Sequence, residues 1–373
     1  MAKAFGIVTS TPRRVNVAGM QEYRPAAAFS FLGRYRVIDF PISNLSNSGI
    51  DNIQVYLNKQ PRSLTEHLDS GRHYNINSKR GRLQLLYHSQ NNANELYNTD
   101  VSDFTDNMDY IQRMSQDYVV IVPSYMVYTQ DYADLLEQHV TSGADITMLY
   151  HHVDNARDHF INCRVISLDK DRRVTSLEVN RCNSKDSNIF MDSYVMKKDL
   201  FIDLIRKTMA FSATYSMAQM ISVLCTEGKL DIRGFAHRGY FASINDLNAY
   251  YEANTELLDI RKAEDLFSPG WPIYTKTTDS CPTQIFDGAH VRRSMISNGC
   301  LIEGTVENSV IGRGVVVKKG AVVQNSILLA YCTIGEDVHI DRQIIDKWAS
   351  VIHSKELINP QGMPGYIRRS DTL

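Results

Sequence analysis

The chain has no cysteine spacing that would suit a disulfide framework or a zinc site. Its six cysteines, Cys163, Cys182, Cys225, Cys281, Cys300 and Cys332, lie far apart with no C-x-x-C pair, so they read as reduced core residues. No apolar run approaches the roughly 20 residues that span a bilayer. The amino terminus, MAKAFGIVTSTPRR, has neither a long apolar segment nor a small-residue cleavage site, so a cytoplasmic protein without a membrane partner is expected. Neither charge is in excess: 40 Lys and Arg face 42 Asp and Glu, which leaves no field to draw nucleic acid. Glycine is missing where a phosphate loop would need it. The apolar strand from Ala4 to Val8 runs into Thr9-Ser10-Thr11-Pro12-Arg13-Arg14, and without glycine the backbone N–H groups of that turn cannot approach phosphates closely.

A length of 373 residues favours two domains over one core. The segment YVVIVPSYMVYTQDY, from Tyr118 to Tyr132, reads as strand, turn and helix. Val119 to Val122 is a short β-branched run of the kind buried on both faces in a parallel sheet. Pro123 and Ser124 break it, and Asp131, Tyr132, Leu135, Leu136 and His139 follow at helical spacing. The turn at the carboxyl end of such a strand is where an open α/β sheet places a ligand or metal. Here it holds Tyr125 and Met126, with no carboxylate before Asp131. Further upstream, Phe40, Ile42 and Leu45 mark a helix capped by Ser43 or Asn44 and ended by Gly49, with Arg36 and Asp39 placed to pair. Ile53 to Leu57 is a further strand, so strand, helix and strand predict a parallel sheet.

The carboxyl-terminal part has its own period. Ile311, Val317, Val323 and Leu329 step by six, five more residues reach Ile334, and six more reach Ile340. Ser309, Ala321 and Cys332 precede their aliphatic residues by two, and glycines punctuate the turns at 304, 312, 314, 320 and 335. Such hexapeptide repeats stack triangular coils with aliphatic corners buried.

The string GRYRVIDFPISNLSNSGI (33 to 50) resembles the GKYRLIDFPLSNCINSGI-type signature of glucose-1-phosphate adenylyltransferases. SLTEHL (63 to 68), DYADLLEQH (131 to 139), GADITM (143 to 148), GYFASINDLNAYYEAN (239 to 254) and WPIYT (271 to 275) are similar in place and order. The resemblance implies an α/β fold: a Rossmann-like nucleotidyltransferase domain with a mostly parallel sheet (1–255), a linker (256–284) and a left-handed parallel β-helix (285–373). In catalytic members a GGxGxRL loop cradles the nucleotide, and an SGDHIY turn and a GYWEDIGT segment each supply a metal-binding Asp. This sequence departs at all three, with Thr9, Ser10 and Thr11 in the loop and Tyr125 and Ser243 at the two Asp positions. The substrate segment WYxGTADA becomes Tyr97-Asn98-Thr99-Asp100-Val101-Ser102-Asp103, and the sugar-phosphate EKP motif keeps only Glu178, followed by Val179 and Asn180.

Metal and loop together must stabilise much of the charge that develops on a transferred phosphate. The expectation is therefore a catalytically impaired, regulatory chain similar to the GlgD-type members, with no catalytic residue intact and no cofactor of its own. By resemblance, Mg²⁺ and ATP would be used by a catalytic partner subunit in a heterotetramer, with a homo-oligomer possible for this chain alone. Arg24 stands at the lysine of the family's KPA motif. With Arg34 and Arg36 it is the candidate site for a phosphorylated sugar effector, the bland reading being ion pairs or a solvated surface. Two alternatives stay open: an active nucleotidyltransferase whose metal is held by Asp100, Asp103 or Asp246, and a sugar-phosphate sensor or scaffold with no enzymatic role.

Overall fold

The computed structural model describes residues 2–88, 95–360 and 362–373. Two compact units interleave along the chain: the first comprises Met1–Val15, Ile38–Asn245 and Gly270–Tyr274, the second Asn16–Val37, Asp246–Pro269 and Thr275–Leu373. Residues 16–37 and 246–269 thus group with the carboxyl-terminal coils, and the segment expected as a linker contains a helix, Ile260–Leu266. No helix among the described residues is long and apolar enough to cross a membrane.

The first unit is built on a mixed nine-stranded sheet. One end of it is parallel, in the order Leu83–Tyr87, Ile53–Leu57, Ala4–Val8 and Tyr118–Val122, and the antiparallel strand Ser187–Lys197 lies beside the last of these. The aliphatic run Val119–Val122 is almost wholly buried, as expected for a strand covered on both faces. Phe5, Ile7, Val119, Ile121, Met148 and Tyr194 join one apolar cluster with residues from flanking helices. Asp131 caps the helix Tyr132–Ser142 by accepting from the Ala133 N–H, and Gly143 closes it at a left-handed φ of 66°, the conformation that favours glycine. The turn before that helix is more ordered than the sequence suggests: Met126–Tyr128 forms a short strand paired with Phe241–Ser243.

One helix start is corrected. The helix runs Asp39–Asn47, so Ser43 and Asn44 are interior, buried residues rather than caps. They turn their polar atoms onto neighbouring backbone and side chains: Ser43 Oγ accepts from the Tyr274 N–H, and Asn44 bridges the Tyr128 carbonyl and the Trp271 indole N–H, all at 2.9 Å. Gly49 follows the helix at a φ of 72° as expected. Asp39 accepts from the Tyr74 hydroxyl and lies against His67, both at 2.6 Å.

The second unit contains three five-stranded parallel sheets, the three faces of a left-handed β-helix. Its corners are the expected aliphatic residues with one register change. Ile311 pairs with Leu328 and Leu328 with Ile345, while Val317 pairs with Ile334 and Val323 with Ile340. The five-residue step therefore falls between Val323 and Leu328, before the place the six-residue count puts it. Leu329 is buried as well, which is why the spacing alone could not choose between them. Ser309, Ala321 and Cys332 are fully buried inside the coils. Gly304 is required by close approach, because a Cβ there would lie 2.4 Å from the Ala321 carbonyl oxygen.

Candidate functional site

In the first unit the carboxyl ends of Ala4–Val8 and Tyr118–Val122 bring together the loop 9–15 and the turn 123–125. The Thr9 N–H and hydroxyl both donate to the Val122 carbonyl, at 3.0 and 3.3 Å. The Ser10 hydroxyl donates to Asp103 Oδ2 at 2.5 Å, and Thr11 Oγ1 lies 3.5 Å from Ser124 Oγ. All three hydroxyls are thus engaged with the protein itself.

Tyr125 is 1% exposed. Its hydroxyl donates to Asp192 Oδ2 at 2.6 Å and accepts from Arg14 Nη2 at 2.5 Å. Arg14 also pairs directly with Asp192 Oδ2. Arg164 approaches the other carboxylate oxygen at 3.4 Å and donates to Ser216 Oγ at 3.2 Å. Asp192 sits at a φ of 47°, where the pairing of Ser187–Lys197 with Ile146–Val153 slips between Phe190 and Ser193. A bulge of this kind re-aims a side chain, and a left-handed non-glycine residue costs about 1–3 kcal/mol. Burial by itself would raise the Asp192 carboxyl, but Arg14 and Arg164, with the Tyr125 hydroxyl, hold it below the usual carboxylate range. Against the same pull of burial, Asp192 and Tyr125 raise Arg14. Burial first, then the Asp192 charge, pushes the Tyr125 phenol well up, so it stays protonated and donates.

Ser243, at the other expected metal position, is also buried, and its Oγ accepts from the Cys163 thiol at 3.4 Å. The carboxylates considered as substitutes have other partners. Asp100 accepts from the Val101 and Met217 N–H groups, and burial, outweighing those bonds, pushes it up to about 6. Asp103 holds Ser10 and lies 2.9 Å from His88 Nδ1. In the second unit Asp246 caps the helix Leu247–Glu256. Among the described residues, no group of three or more His, Cys, Asp or Glu could hold a metal ion. The carboxylate beside Tyr125 is already matched by two guanidinium groups, and hard divalent cations need free oxygen ligands. Carboxylate-held Mg²⁺ therefore does not fit the residues present.

Two residues of the altered substrate segments make structural bonds. Thr99 caps the helix Asp100–Asp106. Asn180 donates to the Ala156 and Phe160 carbonyls at 2.8 and 3.1 Å.

The three arginines expected to meet a phosphorylated effector all lie in the second unit, and two of them, Arg24 and Arg36, lie near Lys347. Arg24, 3% exposed, donates to Asp346 Oδ1 at 2.7 Å. Its Nε is buried with no hydrogen-bond partner among the described residues. Asp346 also accepts from the Lys347 N–H at 2.6 Å and the Tyr366 hydroxyl at 2.7 Å. Burial first, then Arg36, Arg24 and Arg369, lowers the Lys347 ammonium to about 7 although Asp346 opposes them. Arg24, Arg36 and Arg369 thus all bear on the Lys347 ammonium, and of the three it is Arg24 that is paired to Asp346. The Arg369 guanidinium lies 4.4 Å from the Trp348 ring centroid, a cation–π distance. Arg34 is not part of this group. It lies over the Tyr35 ring at 5.6 Å and lines a cavity of about 340 Å³ with Tyr35, Phe267, Asn298 and Arg313.

Sequence reading missed Asp192, Arg164, Lys347 and Arg369. Asp192 had one visible signal, a lone acid inside the apolar strand sequence NIFMDSYVM. A buried acid needs a buried cation, but nothing local says which.

Residues 21–260 match a family model described as nucleotidyl transferase, and residues 283–358 match one described as GlmU-like, C-terminal hexapeptide. The chain is 34% identical to the glycogen biosynthesis protein GlgD of Geobacillus stearothermophilus, over 86% of this chain and 83% of that protein. It is 30% identical to a glucose-1-phosphate adenylyltransferase of Lachnospira eligens over 82% of this chain and 71% of that one. To the enzyme of that name from Fervidobacterium nodosum it is 27% identical over 92% and 83%.

Proposed function

The chain belongs to the glucose-1-phosphate adenylyltransferase family of nucleotidyltransferases, and from that premise we propose that it is a regulatory subunit with little or no activity of its own. It would act in glycogen biosynthesis, in the cytoplasm, assembled as a heterotetramer with a catalytic homologue. That homologue would use Mg²⁺ and ATP to convert glucose 1-phosphate to ADP-glucose and pyrophosphate. The observation that carries this reading is Tyr125, bound to Arg14 and Asp192 where catalytic members keep a metal-binding aspartate. With Ser243 bonded to Cys163 at the second position, neither of the two carboxylates that would hold a metal is present.

Regulation, on this reading, enters through the second unit. A phosphorylated sugar would be held by Arg24 and Arg36 together with Lys347 and Arg369. The nearness of Arg24, Arg36 and Arg369 to Lys347, and the buried Arg24 Nε with no hydrogen-bond partner among the described residues, support an anion there, since guanidinium forks match phosphate oxygens. The effector must bind one assembly state better than another, because equal affinity shifts nothing.

The test is ADP-glucose synthesis by this chain alone, by the catalytic homologue alone and by the two mixed, each titrated with fructose 1,6-bisphosphate. Altered activity or effector response only in the mixture is the expected result, and Lys347→Gln should blunt the response. Activity of this chain alone would instead favour a metal held by Asp100, Asp103 or Asp246. No effect on mixing would leave a sugar-phosphate sensor or scaffold.

A further inference from the structure

Carboxylate-held Mg²⁺, which the family implies, does not fit the residues of the first unit, and what stands in its place has a role of its own. We infer that Arg14, Tyr125, Asp192 and Arg164 form an ion-pair lock that fixes the loop 9–15 without metal or nucleotide. The inference rests on reading this site as degenerate and goes on to say what keeps it ordered. The four residues come from segments far apart in sequence: the loop after the first strand, the turn after Val122, the strand Arg164–Leu168 and the bulge in Ser187–Lys197. They meet on one carboxylate, with Tyr125 Oη 2.6 Å and Arg164 Nη1 3.4 Å from Asp192 and Arg14 paired to it directly.

A divalent cation bridging carboxylates from separate strands would hold such segments by charge. Here the charges are reversed, two guanidiniums around one carboxylate, and both cations are part of the chain. Tyr125 adds a donor that only a protonated phenol supplies, and Ser216 orients Arg164 at 3.2 Å. The left-handed backbone of Asp192 persists because this set of bonds over-determines it. The Thr9 bonds to Val122 extend the fixation into the loop.

Amide hydrogen exchange of the full chain, followed over residues 9–15, tests this. Arg14→Gln and Asp192→Asn should each lower protection there about tenfold, and the double variant should be little worse than either, because the two act through one interaction. Neither EDTA nor Mg²⁺ with ATP should change protection in the unaltered chain. If the charge variants do not fold, Tyr125→Phe decides, since it keeps the ring and removes only the hydroxyl; a smaller loss confined to the same segment is expected. Unchanged protection in these variants, or protection of the unaltered chain that rises with Mg²⁺ and ATP, would overturn the lock. A mixture with the catalytic homologue that shows no effect would remove the regulatory reading and leave the lock standing.

Discussion

Replacing Arg24 with Ala breaks a buried ion pair from one side. Asp346 would lose the 2.7 Å bond to Arg24 but keep the Lys347 N–H and the Tyr366 hydroxyl. Breaking a buried pair by removing one partner costs about 3–5 kcal/mol, because a charge is left uncompensated. The two remaining donors and the nearby Lys347 ammonium place the cost at the lower end, about 3 kcal/mol by the same principle. The packing of Arg24 on the Phe29 ring, 5.6 Å away, is lost as well. In domains of this size 1 kcal/mol corresponds to about 2–4 °C, so the melting temperature of the second unit should fall by about 6–12 °C. Arg24→Lys keeps the charge and gives up the planar fork, and should lose less. Differential scanning calorimetry of the two variants against the unaltered chain measures both. An Arg24→Ala shift under about 2 °C would mean that the pair holds nothing together, and the account of this cluster would fail with it.

Ile340, fully buried at a coil corner, should cost about 2–5 kcal/mol when cut to Ala, read as a lower denaturation midpoint at unchanged slope; a shift near zero would refute the corner packing. Acid should act in opposite directions at two buried groups. His237 is lowered to about 4, by burial first and by His151, so the unfolded chain takes up its proton first, and stability is lost as pH falls from 6.5 towards 4, by up to about 3 kcal/mol. Asp100, raised to about 6 by burial, is protonated first in the folded chain, so its contribution is present at low pH and lost as pH rises through 6. The unaltered chain should therefore lose stability relative to His237→Asn on acidification and gain it relative to Asp100→Asn; equal pH slopes for the chain and both variants would contradict the assignments.

Strands and coils were legible because their signals are local. Val119–Val122 announces a buried strand by its own composition, and the six-residue aliphatic step announces stacked coils. The register failed at Leu328 and Leu329 because both are apolar and both are buried, so only pairing decides. Ser43 and Asn44 misled for a related reason: as good capping residues they mark a helix start, yet their partners, Tyr274, Tyr128 and Trp271, are remote in sequence. The site followed the same division. Tyr125 and Ser243 stood out by position, whereas the Arg14, Asp192 and Arg164 contacts bridge residues too distant for any spacing rule. Arg24, Arg34 and Arg36 looked alike in sequence, but Arg34 lines a cavity with Tyr35 and Phe267 while the other two lie near Lys347, a residue more than 300 positions on.

The central claim is that the first unit no longer performs adenylyl transfer. Its most direct measurement is the rate at which the purified chain alone forms ADP-glucose from ATP and glucose 1-phosphate with saturating Mg²⁺. The account predicts no turnover above background, and none after Tyr125→Asp alone, because Ser243 and a loop without glycine remain. A rate within the usual enzymatic range of about 1–1000 per second would contradict it.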